Sequence, residues 1–295
     1  MKLEDWKNEG GYLKYGSHTV FYRDDGQGED ILICIHGFPT SSWDWHLLWP
    51  ELTKRFRVIA PDMLGFGFSD KPQEDVYSID YQTTLHETLL RCLEVKQAYI
   101  LAQDYGDTIT QELLARYEDR KKNNQTGFEI KGICFLNGGM FPEAHQALLI
   151  QKLLMSPLGA IFSKLISEGQ FKKGFTAMFG PNTKPTEREV DNYWQLLKYN
   201  NGTAAAHKII RYLEERKKFR NRWVGAMQTT KVPLRLINGM FAPTSGQAMA
   251  DRYRELIPNP DVVPLHNIGH YPQIEAPEKV LDALLEFLSN IASRQ

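Results

Sequence analysis

Cysteine is scarce in this chain: three in 295 residues, Cys34, Cys92 and Cys134, lie far apart and without the paired spacing of a metal site. No disulfide framework or thiolate metal centre is expected. Cys34 and Cys134 fall inside apolar runs, where a thiol behaves as a small hydrophobe. A reducing, cytoplasmic setting is the expectation. Long apolar runs are also lacking. ILICI at 31–35 is far shorter than the roughly 20 residues a membrane helix needs. The opening MKLEDWKNEGGYLKYG is charged and Gly-rich, without the apolar stretch of a signal peptide. Nor does one sign of charge dominate. The 35 basic and 36 acidic residues leave a net charge of −1, so no bulk field exists to recruit nucleic acid.

What remains is an ordinary globular composition. With 42% hydrophobic and 24% charged residues, disorder, collagen and coiled coil are excluded. Short β-rich runs recur between helical patterns, the signature of βαβ units and a mostly parallel sheet. Strands are predicted at 19–22, 31–35, 57–61, 98–102, 130–136, 234–238 and 261–265, and helices at 81–92, 107–117, 246–256 and 277–291. Between Phe141 and Met227 the rhythm breaks into helical periodicity alone, at 147–154, 187–199 and 204–219. The reading is an α/β core in two parts, 1–140 and 229–295, interrupted by a helical cap at 141–228 that lies as a lid over the C-terminal edge of the sheet.

Three strings at strand ends carry the chemistry. In Leu101-Ala102-Gln103-Asp104-Tyr105-Gly106-Asp107, a strand turns sharply into a helix with small residues flanking the bend. That pattern throws Asp104 out at the top of the sheet, where a nucleophile elbow carries its reactive group. An Asp at a helix start also serves as a cap. The strand–turn–helix context and the partner strings favour Asp104 as nucleophile and Asp107 as a first-turn residue. The second string, HGFPTSS at 36–42, supplies the peptide N–H of Phe38, which with the N–H of Tyr105 would form an oxyanion hole. His36 reads better as a loop-orienting residue beside the pocket than as a base. The third, Asn267-Ile268-Gly269-His270-Tyr271-Pro272, places a late histidine on a loop at the same sheet edge.

Together HGFPTSS, DMLGFGFSDKP at 62–72, the QDYGD elbow, LNGGMFPE at 136–143, RKKFRNRWVGA at 216–226 and GHYPQIEAP at 269–277 resemble the epoxide hydrolase and haloalkane dehalogenase branch of the α/β-hydrolase superfamily. The resemblance implies the α/β-hydrolase fold with a helical cap. It implies an Asp104 nucleophile, a covalent ester, and His270 activating water against it, with no metal and no organic cofactor. Within the branch, dehalogenases place a Trp after the nucleophile and an Asn in the oxyanion loop. Here Tyr105 and Phe38 stand there, and neither side chain offers a halide an indole or amide N–H. Epoxide hydrolases use two cap tyrosines to assist the leaving oxygen. Tyr212 and Tyr193 occupy similar places, with Tyr199 a spare and a half-buried packing role the alternative for each. The expected substrate is a small apolar epoxide in a pocket bordered by Phe38, Trp43, Phe141 and Trp194.

One departure stands out. The family's charge-relay acid follows the strand at 234–238, but the turn reads Gly239-Met240-Phe241-Ala242-Pro243, with Ala242 where an Asp belongs. The other place for that acid falls near Asn137. Loss of such an acid costs a related triad about 10⁴ in turnover. A weak or silent hydrolase, an acid recruited from elsewhere such as Glu143, and a substitution that traps an intermediate all fit. Asp251, on the following helix, is expected to face solvent.

Overall fold

The computed structural model describes residues 1–73 and 77–293. Eight strands form one sheet: β1 (Gly11–Tyr15), β2 (His18–Asp25), β3 (Ile31–Ile35), β4 (Arg57–Pro61), β5 (Gln97–Gln103), β6 (Glu129–Leu136), β7 (Leu234–Gly239) and β8 (Asp261–Leu265). Their order is β1-β2-β4-β3-β5-β6-β7-β8. The first two pairings are antiparallel, and β4 onward runs parallel. The central strands are nearly continuous runs of buried aliphatics, as a sheet covered on both faces requires. One apolar cluster, including Ile33, Ile100 and Ile133, fills one side, and another, including Leu32, Leu101 and Cys134, fills the opposite side. This alternation is the period-two signature of a strand.

Seven of these strands coincide with the predicted runs. β1 was not among them: its GYLKY alternates half-buried and exposed positions at the sheet edge, and its content of Gly and Lys gives little strand signal. The helices flanking the sheet run Ile79–Cys92, Tyr105–Lys122, Gln247–Leu256 and Pro277–Ala292.

Between β6 and β7 the chain is helical and contributes no strand. The helix expected at 147–154 is Leu149–Met155, and that expected at 187–199 is Glu187–Lys198. Ser167 and Thr186 open helices with reciprocal caps to Gln170 and Glu189, local signals that fix where these helices begin. The single helix expected at 204–219 is broken into Ala206–Ile209 and Tyr212–Lys218. Helices Gly159–Lys164, Glu168–Ala177 and Arg220–Thr229 complete the segment.

Parallel β3, β5, β6, β7 and β8 all end on one edge. The loops that follow them carry His36, Asp104, Asn137, Ser245 and His270 to that edge, where open α/β sheets place their sites.

Candidate active site

Asp104 has φ +47° and ψ −102°, a left-handed conformation that a side-chain-bearing residue adopts only under about 1–3 kcal/mol of strain. Its surroundings explain why the neighbours are small. A Cβ on Gly106 would lie 2.3 Å from the Ile35 carbonyl oxygen, and one on Gly37 would lie 2.0 Å from Gln103 Oε1. The bend aims the carboxylate into a cavity of about 530 Å³. The Phe38 N–H points at Asp104 Oδ2 from 3.4 Å. Tyr105 opens the following helix, where first-turn N–H groups have no partner within the helix.

His270 stands opposite, with Nε2 3.8 Å from Asp104 Oδ2, a separation too long for a hydrogen bond. Its loop is held from several sides. The Gln103 side chain donates to the His270 carbonyl at 3.1 Å, and the His270 N–H donates to the Met178 carbonyl at 2.9 Å. Glu275 accepts from the N–H groups of Gly180, Gly269 and Tyr271 and from Thr183, stapling this loop to the inserted helices. On its far side, His270 Nδ1 meets Ser245 Oγ at 3.2 Å and Thr244 Oγ1 at 3.5 Å.

Arg216 is a residue that sequence reasoning missed. Fully buried, it donates from Nη2 to the Asp104 carbonyl at 2.8 Å and lies 3.3 Å from Oδ1, while Nε donates to Thr108 at 2.7 Å. The available signal was the basic RKKFR run four residues after Tyr212, one helical turn on. Burial pushes the Asp104 carboxyl up, but the neighbouring His270 and the Arg216 guanidinium outweigh it and bring the pKa down to about 2. The carboxylate is therefore ionised at neutral pH. Asp107, also buried and close to that charge, is pushed well above its ordinary value. His145 was missed too. It lines the cavity with Gln151, and neither ring nitrogen makes a hydrogen bond among the described residues.

The structure brings Asp104, Phe38 and His270 together around one cavity. The other expected pocket residues are placed elsewhere. His36 is fully buried, donating from Nδ1 to the Gly37 carbonyl at 2.8 Å and accepting at Nε2 from the Met63 N–H at 3.1 Å, so it braces the loop. Burial drives its pKa down to about 3, which keeps the ring neutral. Trp43 stacks on His46 and meets Trp6 edge-on in the core, and Phe141 packs against Tyr253. Trp194 lies against Phe171, which lines the cavity in its place. Tyr193 is turned toward buried Asp44, and burial, with that carboxyl beside it, raises the tyrosine's pKa well above its ordinary value. None of these five lines the cavity: large apolar or self-satisfied side chains gain more from the packed core. Tyr212 is also off the cavity wall, its ring edge-on to Tyr105 at 4.6 Å and under the Arg216 guanidinium. Its buried hydroxyl has no hydrogen-bond partner among the described residues.

The DMLGFGFSDKP run is structural: Asp62 accepts from the N–H groups of Ser42 and Phe68, tying two loops together. Glu143 is not a recruited relay acid. It pairs with Arg220 and Arg252 near the surface, and the Arg220 hydrogen bond pulls its pKa down to about 2. Asp251 is exposed and engaged by Gln247 and Arg254. No carboxylate meets His270 Nδ1 among the described residues.

A family model described as the alpha/beta hydrolase fold matches residues 30–123. The mesoderm-specific transcript protein of Mus musculus is 42% identical over 98% of this chain and 88% of its own length. The protein LipZ of Mycobacterium tuberculosis is 35% identical over 97% of this chain and 98% of its own. Among solved structures, the haloalkane dehalogenase DbeA of Bradyrhizobium elkani superposes with a TM-score of 0.82 at 19% identity, covering 97% and 99% of the two chains. The end-to-end match to these relatives, on a sheet whose strand ends gather an acid, a histidine and a donor loop, makes this chain a member of the α/β-hydrolase family.

Proposed function

We propose that the chain is a two-step hydrolase that opens small apolar epoxides through Asp104, with residues 141–228 acting as its cap. The observation that carries the reading is the ionised Asp104 carboxylate, held at a strained elbow on the cavity wall with His270 Nε2 3.8 Å away. Asp104 attacks an oxirane carbon, one C–O bond of the ring breaks, and the oxygen leaves with a proton; the donor is the Tyr212 hydroxyl once its ring turns from Tyr105 toward the cavity, with the cavity-lining His145 as the alternative. Water then attacks the ester carbonyl as His270 Nε2 takes its proton. The bond from the Asp104 carboxyl carbon to the bridging ester oxygen breaks, that oxygen departs in the diol with the remaining water proton, and Asp104 returns as a carboxylate that keeps the water oxygen. The proton on His270 passes back to replace the one spent at ring opening. The N–H groups of Phe38 and Tyr105 receive the ester's oxyanion.

The cavity supports the apolar substrate class. Leu148, Leu154, Phe162, Phe171, Phe175 and Met178 line it, with His145, Gln151 and Gln170 as its sparse polar groups. Ile150 and Leu165, both exposed to solvent, line it as well. Side chains at 38 and 105 that lack a polar N–H count against holding a halide.

A panel of alkyl and aryl epoxides, followed by peptide mass spectrometry, tests the reading. The expected result is an adduct of one substrate mass on Asp104 and diol in solution, both lost in Asp104→Asn. Neither adduct nor turnover with any epoxide would overturn it, and halide release from haloalkanes would identify the dehalogenase chemistry instead. Tyr212→Phe that leaves ring opening unchanged would transfer the proton donor to His145.

A further inference from the structure

We propose that Ser245, pinned by the main-chain carbonyl of Asn137, takes the relay position behind His270 and sets its tautomer without supplying charge. This rests on His270 as the water-activating base proposed above.

The direction of the hydrogen bonds follows from the donor count. Ser245 Oγ is 2.7 Å from the Asn137 carbonyl oxygen, which can only accept, so the single hydroxyl proton is committed there. Toward His270 Nδ1, at 3.2 Å, the same oxygen presents lone pairs, and Nδ1 must carry the proton. The neutral ring is then protonated on Nδ1 and bare on Nε2, the nitrogen facing Asp104.

The pin itself is rigid. Asn137 sits at φ +45° at the end of β6, its side chain donating to the Gly239 carbonyl at 3.0 Å and accepting from the Gly239 N–H at 2.7 Å. That clamp joins the ends of β6 and β7 and fixes the carbonyl that Ser245 addresses. Ser245 and Asn137 are both buried, so water does not compete for either group. Thr244 Oγ1, at 3.5 Å, is a second and weaker neighbour of Nδ1.

A carboxylate in this place would perform two tasks: orient the ring and stabilise the imidazolium formed when water is deprotonated. The Ser245–Asn137 pair performs the first alone. The consequence falls on one step, since alkylation of Asp104 does not require His270 to gain a proton, whereas ester hydrolysis does. Ser245 is therefore a positioning residue for hydrolysis, and the ester is the species that accumulates.

Nitrogen-15 spectra of the imidazoles in the full, histidine-labelled chain at neutral pH test this without any substrate, with His270 assigned by its loss in His270→Gln. The expected spectrum has a protonated Nδ1 and an unprotonated Nε2. Ser245→Ala should convert it to a mixture of tautomers or to the Nε2-protonated form, and Ser245→Thr should restore the native pattern. A native ring protonated on Nε2 alone, or on both nitrogens, would overturn the proposal, as would an unchanged tautomer in Ser245→Ala. With an epoxide that labels Asp104, Ser245→Ala should slow adduct decay at least tenfold and leave adduct formation within twofold. Absence of labelling by every epoxide would remove the hydrolase reading while the spectra still judge the relay.

Discussion

The two walls of the cavity are built to different standards. On the Asp104 side a strained elbow, a buried arginine and a glycine-bearing donor loop hold an ionised carboxylate. On the His270 side the backbone is held as firmly, through Gln103, Met178 and Glu275, yet the ring's outer nitrogen meets only hydroxyls. The difference separates two requirements that one acid meets in a complete triad: geometry is retained, and charge compensation is not. In the proposed mechanism, attack on a substrate depends on the first wall, and regeneration of the free carboxylate depends on the second.

The largest expected effect comes from supplying the missing charge. Ala242→Asp puts a carboxylate into the turn that carries Thr244 and Ser245, and should speed decay of the Asp104 adduct by tenfold or more, toward the roughly 10⁴ that such an acid contributes elsewhere. Rapid-quench mass spectrometry reads the decay. An unchanged decay rate would mean that charge at this place is not what limits release, and the contrast between the walls would fail.

Arg216→Met should act on the opposite wall. Breaking a buried, hydrogen-bonded ion pair costs about 3–5 kcal/mol, which denaturant titration would register. The pH dependence has a defined sign. The Asp104 pKa is held down at about 2, so its contribution to stability is present above the ordinary carboxylate pKa and is lost as pH falls toward 2. Removing Arg216 raises that pKa, and acid unfolding followed by circular dichroism should move to higher pH. An acid transition at the same pH would sever Arg216 from the electrostatics of the elbow.

The smallest effect lies at the exposed lining. Ile150→Asp adds charge at an exposed position of the cavity lining, and should raise KM for apolar epoxides several-fold while leaving kcat within twofold, since Ile150 has no polar group to take part in the chemistry. A fall in kcat with KM unchanged would show that this position governs chemistry rather than binding.

Most of the fold was legible because buried parallel strands and their flanking helices announce themselves by continuous apolar runs and 3.6-residue periodicity. β1 escaped because a half-exposed edge strand rich in Gly and Lys lacks both signals. The helix broken at 210–211 was not legible because no Gly or Pro marks the interruption. In the site, the elbow was readable because its steric demand for small residues is written in five consecutive positions. Trp43, Phe141 and Trp194 were misplaced because aromatic content marks core and pocket alike, and only packing divides them. Arg216 and Ser245 come from segments distant in sequence, and their roles exist only in the buried contacts that folding creates.

Mass spectrometry of the chain, quenched at intervals after mixing with a reactive epoxide, tests the contrast most directly. The account predicts an adduct on Asp104 that approaches one per chain before it decays, with formation faster than release. An adduct absent from Asp104, or one that never accumulates while diol is released rapidly, would contradict it.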